Sequence, residues 1–247
     1  MINIDKISIV VPILNEGKNL IKLTTEIKKV KIKNKIKNLE IIFIDDDSND
    51  DSKEILKSLC KKEKYIKYFI RKNKKKDLSQ SCILGFKKAM YKNILVMDGD
   101  LQHPPRFIES LSKTYFKDKA DIVIGSRNLF NKKDPGLSLF RYLCSIIIIH
   151  FINLFLNKKT SDPLSGFFIF KKKIYTKNKF NLYARGYKIL ADLIYSSKNE
   201  LKIIDRNIFF DTRKSGKSKM NILVLITLLI FILRVFFAKL IKFSRTN

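Results

Sequence analysis

Five of the 23 acidic residues in this chain, Asp45, Asp46, Asp47, Asp50 and Asp51, stand almost side by side in a protein that carries 51 lysines and arginines. So many carboxylates repel one another unless something binds them. They follow the apolar run 39–44 directly, which places them at the carboxyl end of a strand, where open α/β sheets hold their ligands. An Asp-rich turn that caps the next helix accounts for one or two of them, but not for five. A second acidic site, Asp98-Gly99-Asp100, also follows an apolar run. In extended chain a spacing of two puts both carboxylates on one side. Paired hard oxygens suit Mg²⁺ or Mn²⁺, which can bridge to a diphosphate and neutralise it as a leaving group.

Cations are the other half of such chemistry. Two anionic groups brought together need fixed positive charge, and the segment Arg213-Lys214-Ser215-Gly216-Lys217-Ser218-Lys219 supplies it. Gly216-Lys217-Ser218 is not a phosphate loop of the strand-loop-helix kind, because Asp211 stands where that motif needs glycine. His103 and His150 lack a second His or Cys at ligand spacing, so zinc is not expected and both read as structural. Cys60, Cys82 and Cys144 are far apart and form no disulfide framework, which fits a reducing compartment.

The elements that must position these residues alternate, as in a parallel α/β sheet. Strands are expected over 7–13, 39–44, 65–71, 94–97 and 120–125. Helices are expected over 19–29, 51–62 and 79–91, with a fourth opened by Pro104 and Pro105. At 247 residues the chain has room for one sizeable core, expected over 1–220, and a small appendage over 221–247.

Two later segments bear on membranes. Residues 143–156 are almost wholly apolar but too short to span a bilayer, so a buried or interfacial helix is expected. Residues 222–241 form a stretch that reaches roughly 30 Å as a helix, interrupted by Arg234 and Lys239. That helix is expected to span the bilayer or lie in its interface. The N-terminus enters a strand without the features of a signal peptide, which places the first domain on the cytoplasmic side. A net charge of +28 favours polyanionic partners, yet lysine beside isoleucine and asparagine is also what an AT-rich genome encodes. Nucleic acid is not an expected partner: no DNA or RNA module is visible, and carboxylates at strand ends would repel a phosphate backbone.

Taken together, Val10-Val11-Pro12-Ile13-Leu14-Asn15-Glu16, Ile44-Asp45-Asp46-Asp47-Ser48, Met97-Asp98-Gly99-Asp100-Leu101-Gln102-His103-Pro104-Pro105, Ile124-Gly125-Ser126-Arg127, Asp162-Pro163-Leu164-Ser165-Gly166-Phe167, Gly186-Tyr187-Lys188 and the Arg213 to Lys219 segment occur in one order. In that order they resemble the family-2 glycosyltransferases of GT-A fold, in particular the polyprenyl (dolichyl) phosphate mannosyltransferase branch.

The resemblance implies a nucleotide-sugar donor, GDP-mannose in that branch, a polyprenyl phosphate acceptor, membrane association and a divalent metal. It implies that Pro12, Asn15, Glu16, Asp45 and Asp46 hold the nucleoside, that Asp98 and Asp100 serve metal and diphosphate, and that Gln102 lies beside them. Arg127, Arg213 and Lys219 would line the region where donor and acceptor phosphates meet. Glucosyl transfer to undecaprenyl phosphate, or sugar transfer to a glycan hydroxyl, is the alternative within this class. Four departures stand out: Asp77 where relatives carry Gly, Leu14 where Tyr is frequent, Lys217 where they carry Glu, and Asp192 where Glu is common. Asp192 reads as a helix-surface carboxylate, or as a base if the acceptor were a hydroxyl.

Overall fold

A computed structural model describes residues 4–126, 152, 159–186, 188–197, 200–209, 211, 230 and 233. A single sheet of seven strands organises them: β1 (Ile7–Ile13), β2 (Leu39–Asp45), β3 (Ile66–Ile70), β4 (Asn93–Val96), β5 (Ile122–Ser126), β6 (Phe168–Lys171) and β7 (Ile203–Asn207). Their order across the sheet is β3-β2-β1-β4-β6-β5-β7. β6 alone runs against its neighbours β4 and β5, while the other pairings are parallel. The expected mostly parallel α/β sheet is therefore present. The order reverses at β1, since β2 and β4 flank it on opposite sides, and such a reversal opens a crevice at the strands' carboxyl ends.

Alternation along the strands feeds two cores, one on each face. Ile9, Val11, Phe43 and Leu95 pack under α1 (Gly17–Lys33), α2 (Ser52–Lys62) and α4 (Phe107–Lys117). Val10, Ile42, Ile44, Val96, Phe168 and Phe170 face α3 (Leu78–Lys88), α5 (Lys172–Asn178) and α6 (Ile189–Tyr195). Phe86 of α3 is fully buried and meets Phe170 and Tyr175 edge-on, at 5.0 and 5.5 Å between ring centres. Gly85 lets α3 lie close on β1, because a Cβ there would stand 2.3 Å from Val10 Cγ1.

The expected strand over 7–13 coincides with β1, and the others differ by one or two residues at their ends. Two strands were not expected. Phe168–Lys171 is a short apolar run that ends in lysines, and its antiparallel course cannot be read from its residues. Ile203–Asn207 carries Asp205 and Arg206 on an edge, which masks its alternation. Of the segment 143–156 only Ile152 is described, helical and fully buried. The segment 222–241 lies outside the described residues except for Ile230 and Leu233, both helical and about half exposed. Among the described residues no helix is long and apolar enough to cross a membrane.

Two of the three helices on one face, α1 and α4, are tied by Glu109 of α4, which accepts from Lys113 Nζ at 2.6 Å and pairs with Lys33 of α1 at 3.0 Å. Those bonds hold its carboxyl down at about 2, from an ordinary 4.5. A depressed folded pKa gives stability that is present above the unfolded value and lost as pH falls through the folded one. Urea midpoints of wild type should therefore drop between about pH 4.5 and 2, and Glu109→Gln should flatten that part of the curve. An unchanged acid limb in the variant would remove Glu109 from the account.

Candidate active site

β4 ends at Val96, so Asp98 and Asp100 sit in the turn beyond it rather than on extended chain. The expected same-side placement by period two is thus corrected: the turn orients them instead. Leu101 adopts a left-handed φ of 64° with its side chain buried, and behind it Gln102 N–H donates to Asp100 Oδ1 at 3.0 Å. Positive φ at a branched apolar residue is costly and persists where its surroundings impose it. His103 is buried, stacks on Phe167 with ring centres 5.3 Å apart, and accepts from Asp98 N–H through Nδ1 at 3.0 Å. That bond makes it a structural support for the motif, as the sequence suggests. Asp100 is 3% exposed, whereas the Asp98 side chain is about one-third open, at 36%.

Gly166 closes the motif from the other side. A Cβ on it would lie 2.9 and 3.0 Å from the Asp98 carboxylate oxygens and 3.0 Å from His103 Cε1. The loop holding Gly166 is fixed by Ser165 Oγ donating to Gly125 O at 2.7 Å, and by Asp205 of β7, which accepts from Thr160 Oγ1 and from Ser161 N–H and Oγ. Gly166→Ala should displace the Asp98 carboxylate and cut turnover by about 100-fold, the scale of a 1 Å misplacement. Equal turnover in that variant would show that the contact is not part of the site.

The loops after β1 and β2 form one braced unit. Ser48 donates to Asp45 Oδ1 through both N–H and Oγ, at 3.0 and 2.5 Å. Asn15 N–H donates to Ser48 Oγ at 2.8 Å, and Asn49 N–H returns to Asn15 Oδ1 at 2.9 Å. Asn15 and Asp47 hold φ of 58° and 62°, which their short polar side chains tolerate. Asp50 accepts from Gly17 N–H at 2.9 Å, at the first turn of α1, and from Ser52 N–H at 3.1 Å. Asp50 is therefore a structural cap, and Asp51 precedes α2 without a side-chain cap bond. Glu16 is mostly buried, accepts from Asn19 Nδ2 at 2.8 Å, and would meet a Cβ on Gly99 at 3.5 Å through its Cγ. Pro12 is buried on β1 opposite Ile44. The sequence-expected residues Pro12, Asn15, Glu16, Asp45, Asp46, Asp98, Asp100 and Gln102 thus gather at the carboxyl ends of β1, β2 and β4.

Asp46 has its own partner, which the sequence does not announce. It forms an ion pair with Arg71, and its Oδ2 accepts from Asp77 N–H at 2.6 Å. Burial pushes its carboxyl above the ordinary aspartate range, against the pull of those two partners. Asp77 then caps α3 by accepting from Gln80 N–H at 3.0 Å, and its other oxygen accepts from Gly186 N–H at 2.9 Å. The departure at position 77 is a junction between three segments. Beneath it, the thiol of fully buried Cys82 is raised well above its ordinary value by burial and by the charges of Asp98, Asp77 and Asp46.

Asp192 is not the helix-surface carboxylate expected from the sequence. It is fully buried and accepts from Tyr183 N–H at 2.9 Å, Ala184 N–H at 2.7 Å and Ser196 Oγ at 2.9 Å. Burial raises its pKa, and the three donors commit it to shaping the 183–186 loop. Lys188, also buried, lies over the Tyr183 ring at 4.2 Å, with burial lowering its pKa to about 8 against the pull of Asp192 and Asp77.

Arg127, Arg213 and Lys219 lie outside the described residues. What precedes the basic segment is described: Asp211 N–H donates to Gln102 O at 3.1 Å, and the Asp211 carboxylate takes both Arg106 Nη atoms at 3.0 and 3.2 Å. The chain therefore reaches the acidic motif just before its run of basic residues. Among the described residues no three His, Cys, Asp or Glu side chains converge as a self-sufficient metal cage.

Comparison with known proteins accords with this geometry. The chain is 35% identical over 220 residues to the dolichol-phosphate mannosyltransferase of Pyrococcus furiosus, covering 87% of this chain but 59% of that protein's length. It is 31% identical to the dolichol-phosphate mannosyltransferase of Mycosarcoma maydis, covering 87% of this chain and 73% of that protein. Among solved structures, glucosyl-3-phosphoglycerate synthase from Mycobacterium tuberculosis, in complex with Mn²⁺, UDP and glucosyl-3-phosphoglycerate, superposes with a TM-score of 0.69. It is 16% identical, covering 94% of this chain and 79% of that one. That likeness identifies the GT-A fold. The sequence pattern of glycosyl transferase family 2 matches residues 8–179, through the braced loops after β1 and β2, the Asp98-Gly99-Asp100 turn and the Gly166 contact, and the chain belongs to that family.

Proposed function

We propose that this protein is an inverting, metal-dependent hexosyltransferase that moves a hexose, mannose from GDP-mannose in the first instance, onto a polyprenyl phosphate at the cytoplasmic face of a membrane. The observation that carries the reading is the convergence of Asp98 and Asp100 with the Asp45 and Asp46 loops at one crevice. The relatives named for transfer to dolichol phosphate support the acceptor. Residues 1–220 would be the catalytic domain and 221–247 its membrane-associated helix and basic tail, which the half-exposed Ile230 and Leu233 support.

The two acidic side chains fit a small hard cation. Mg²⁺ takes one or two protein carboxylates and completes its shell with substrate phosphate and water, and the open edge of Asp98 leaves room for that. The Mn²⁺ and UDP-glucose named in structures of the mycobacterial synthase point the same way. When bound, Mg²⁺ or Mn²⁺ would neutralise the diphosphate that leaves. Asp45, Asp46, Pro12, Asn15 and Glu16 would seat the nucleoside, and Gln102 would orient beside Asp98 and Asp100. Arg127, Arg213 and Lys219 would bring the acceptor phosphate in line for attack on the anomeric carbon. A phosphate monoester has a second pKa near 6, so its oxygen attacks without a strong general base. The commitment of Asp192 to three donors removes it as that base.

Membranes containing the protein, incubated with polyprenyl phosphate and a panel of labelled nucleotide sugars, should make one label lipid-extractable. Label from UDP-glucose in place of GDP-mannose selects the glucosyl alternative. Label confined to a glycan overturns the phosphate acceptor.

A further inference from the structure

The high positive charge is not used evenly. Six of the described lysines meet carboxylates: Lys28 pairs with Glu63, Lys29 with Glu26 at 2.7 Å, Lys33 and Lys113 with Glu109, Lys67 with Glu40 at 2.9 Å, and Lys171 with Asp121 at 2.8 Å. The loop between β3 and α3 gathers four more lysines within five residues. Its Lys72, Lys74, Lys75 and Lys76 are all exposed, and none of them pairs with a carboxylate among the described residues.

This loop is also held in shape. Arg71, clamped to Asp46, donates through Nη2 to Lys75 O at 3.3 Å and through Nη1 to Asp77 O at 3.1 Å. Asn73 takes the left-handed turn between them, at φ 53°. Exposed Arg185 joins the cluster, because its neighbour Gly186 donates to Asp77 Oδ2 at 2.9 Å. The nearest carboxylates are engaged from within, Asp46 by Arg71 and Asp77 by Gln80 and Gly186 N–H. The exposed Asp50 and Asp51 belong to the loops over α1 and α2, on the far side of β2. The carboxyl-end rim of the sheet is therefore cationic over α3 and anionic over α1.

We propose that the β3–α3 loop, with Arg185 beside it, is a docking surface for the anionic headgroups of a bilayer. Several lysines fixed on one loop sum their attraction at a charged plane, about fivefold in binding for each lysine in full contact. The loop borders the crevice, so docking there turns the strand ends toward the lipid, while the anionic rim over α1 is repelled and tilts the molecule. The surface acts without sugar transfer, and its test is independent of the proposed reaction.

Full-length protein floated with phosphatidylcholine vesicles, and with vesicles in which part of that lipid is phosphatidylserine, decides the matter. Phosphatidylserine should raise the bound fraction about tenfold or more at low salt, and the gain should vanish at high salt. Binding by the C-terminal helix and its basic tail is common to wild type and to the loop variants and drops out when they are compared. Changing Lys72, Lys74, Lys75 and Lys76 together to Gln should cut the preference by about fivefold or more, whereas changing all four to Arg should keep it. Thermal midpoints of both variants check that the fold is intact. The proposal is overturned if wild type binds both vesicles alike, if the Gln variant keeps the preference, if the Arg variant loses it, or if the loop retains single-stranded RNA but not phosphatidylserine.

Discussion

Asp98→Asn and Asp100→Asn should each lower sugar transfer by about 10² to 10⁴-fold, with thermal stability nearly unchanged. A metal that polarises the leaving diphosphate supplies several kcal/mol at the transition state, and each 1.36 kcal/mol is about tenfold in rate. Asn keeps the shape of Asp but gives up the charge and one acceptor oxygen. At position 100 the retained carbonyl can still accept from Gln102 N–H, the bond that holds the turn. At position 98 the side chain is one-third exposed, and the hydrogen bond to His103 is donated by the backbone N–H, which the substitution leaves in place. Chelation of wild type should reproduce the loss, and added Mn²⁺ should reverse it in wild type more than in either variant. Full transfer in both variants, or in excess chelator, would falsify the metal-dependent mechanism.

How much of this could be read from the chain alone depended on how local the cause was. β1 and β2 are largely apolar runs, each broken once, by Ser8 and by Glu40, and closely followed by Asn or Asp, so strand, boundary and polar loop all follow from neighbouring residues. The Asp98 turn was legible as a site but not in geometry, because Leu101 takes a conformation its side chain disfavours, imposed by burial and by the contacts of His103. Asp50 and Asp192 show the opposite failing. Each is a carboxylate whose partners are backbone N–H groups of other segments, Gly17 for Asp50, Tyr183 and Ala184 for Asp192, and nothing in the sequence names those partners. Asp192 falls in the seven-residue helix Ile189–Tyr195, which is buried along its whole length, so no polar stripe marks where the carboxylate points. The Gly166 contact could be suspected from the resemblance, yet its reason, a carboxylate within 3.0 Å of a would-be Cβ, exists only once β4 and β6 are neighbours.

The Arg71–Asp46 pair yields the prediction that best separates fold from function. Both side chains are nearly buried, at 10% and 7% exposure, and Arg71 also holds Asp77 O and Lys75 O. Removing one member of a buried pair leaves the other charge without compensation and costs about 3–5 kcal/mol. Arg71→Met should therefore destabilise by that order, read as a fall in the urea midpoint. Burial already raises the Asp46 pKa, so loss of Arg71 should raise it further. A raised acid favours the folded state when protonated, so the variant should regain stability as pH falls from the folded pKa to the unfolded value, and lose it as pH rises through the same window. Changing both residues together, Arg71→Met with Asp46→Leu, removes the stranded charge and should restore most of the stability, since apolar replacements of buried pairs are often neutral. Nucleoside diphosphate affinity should not return with it. If Asp46 seats the nucleoside, calorimetric titration of the stable double variant shows binding weakened by about tenfold or more, the scale of a lost hydrogen bond to a charged group. Wild-type affinity in that double variant would place the nucleoside elsewhere and leave Asp46 as a brace for the β3–α3 loop alone.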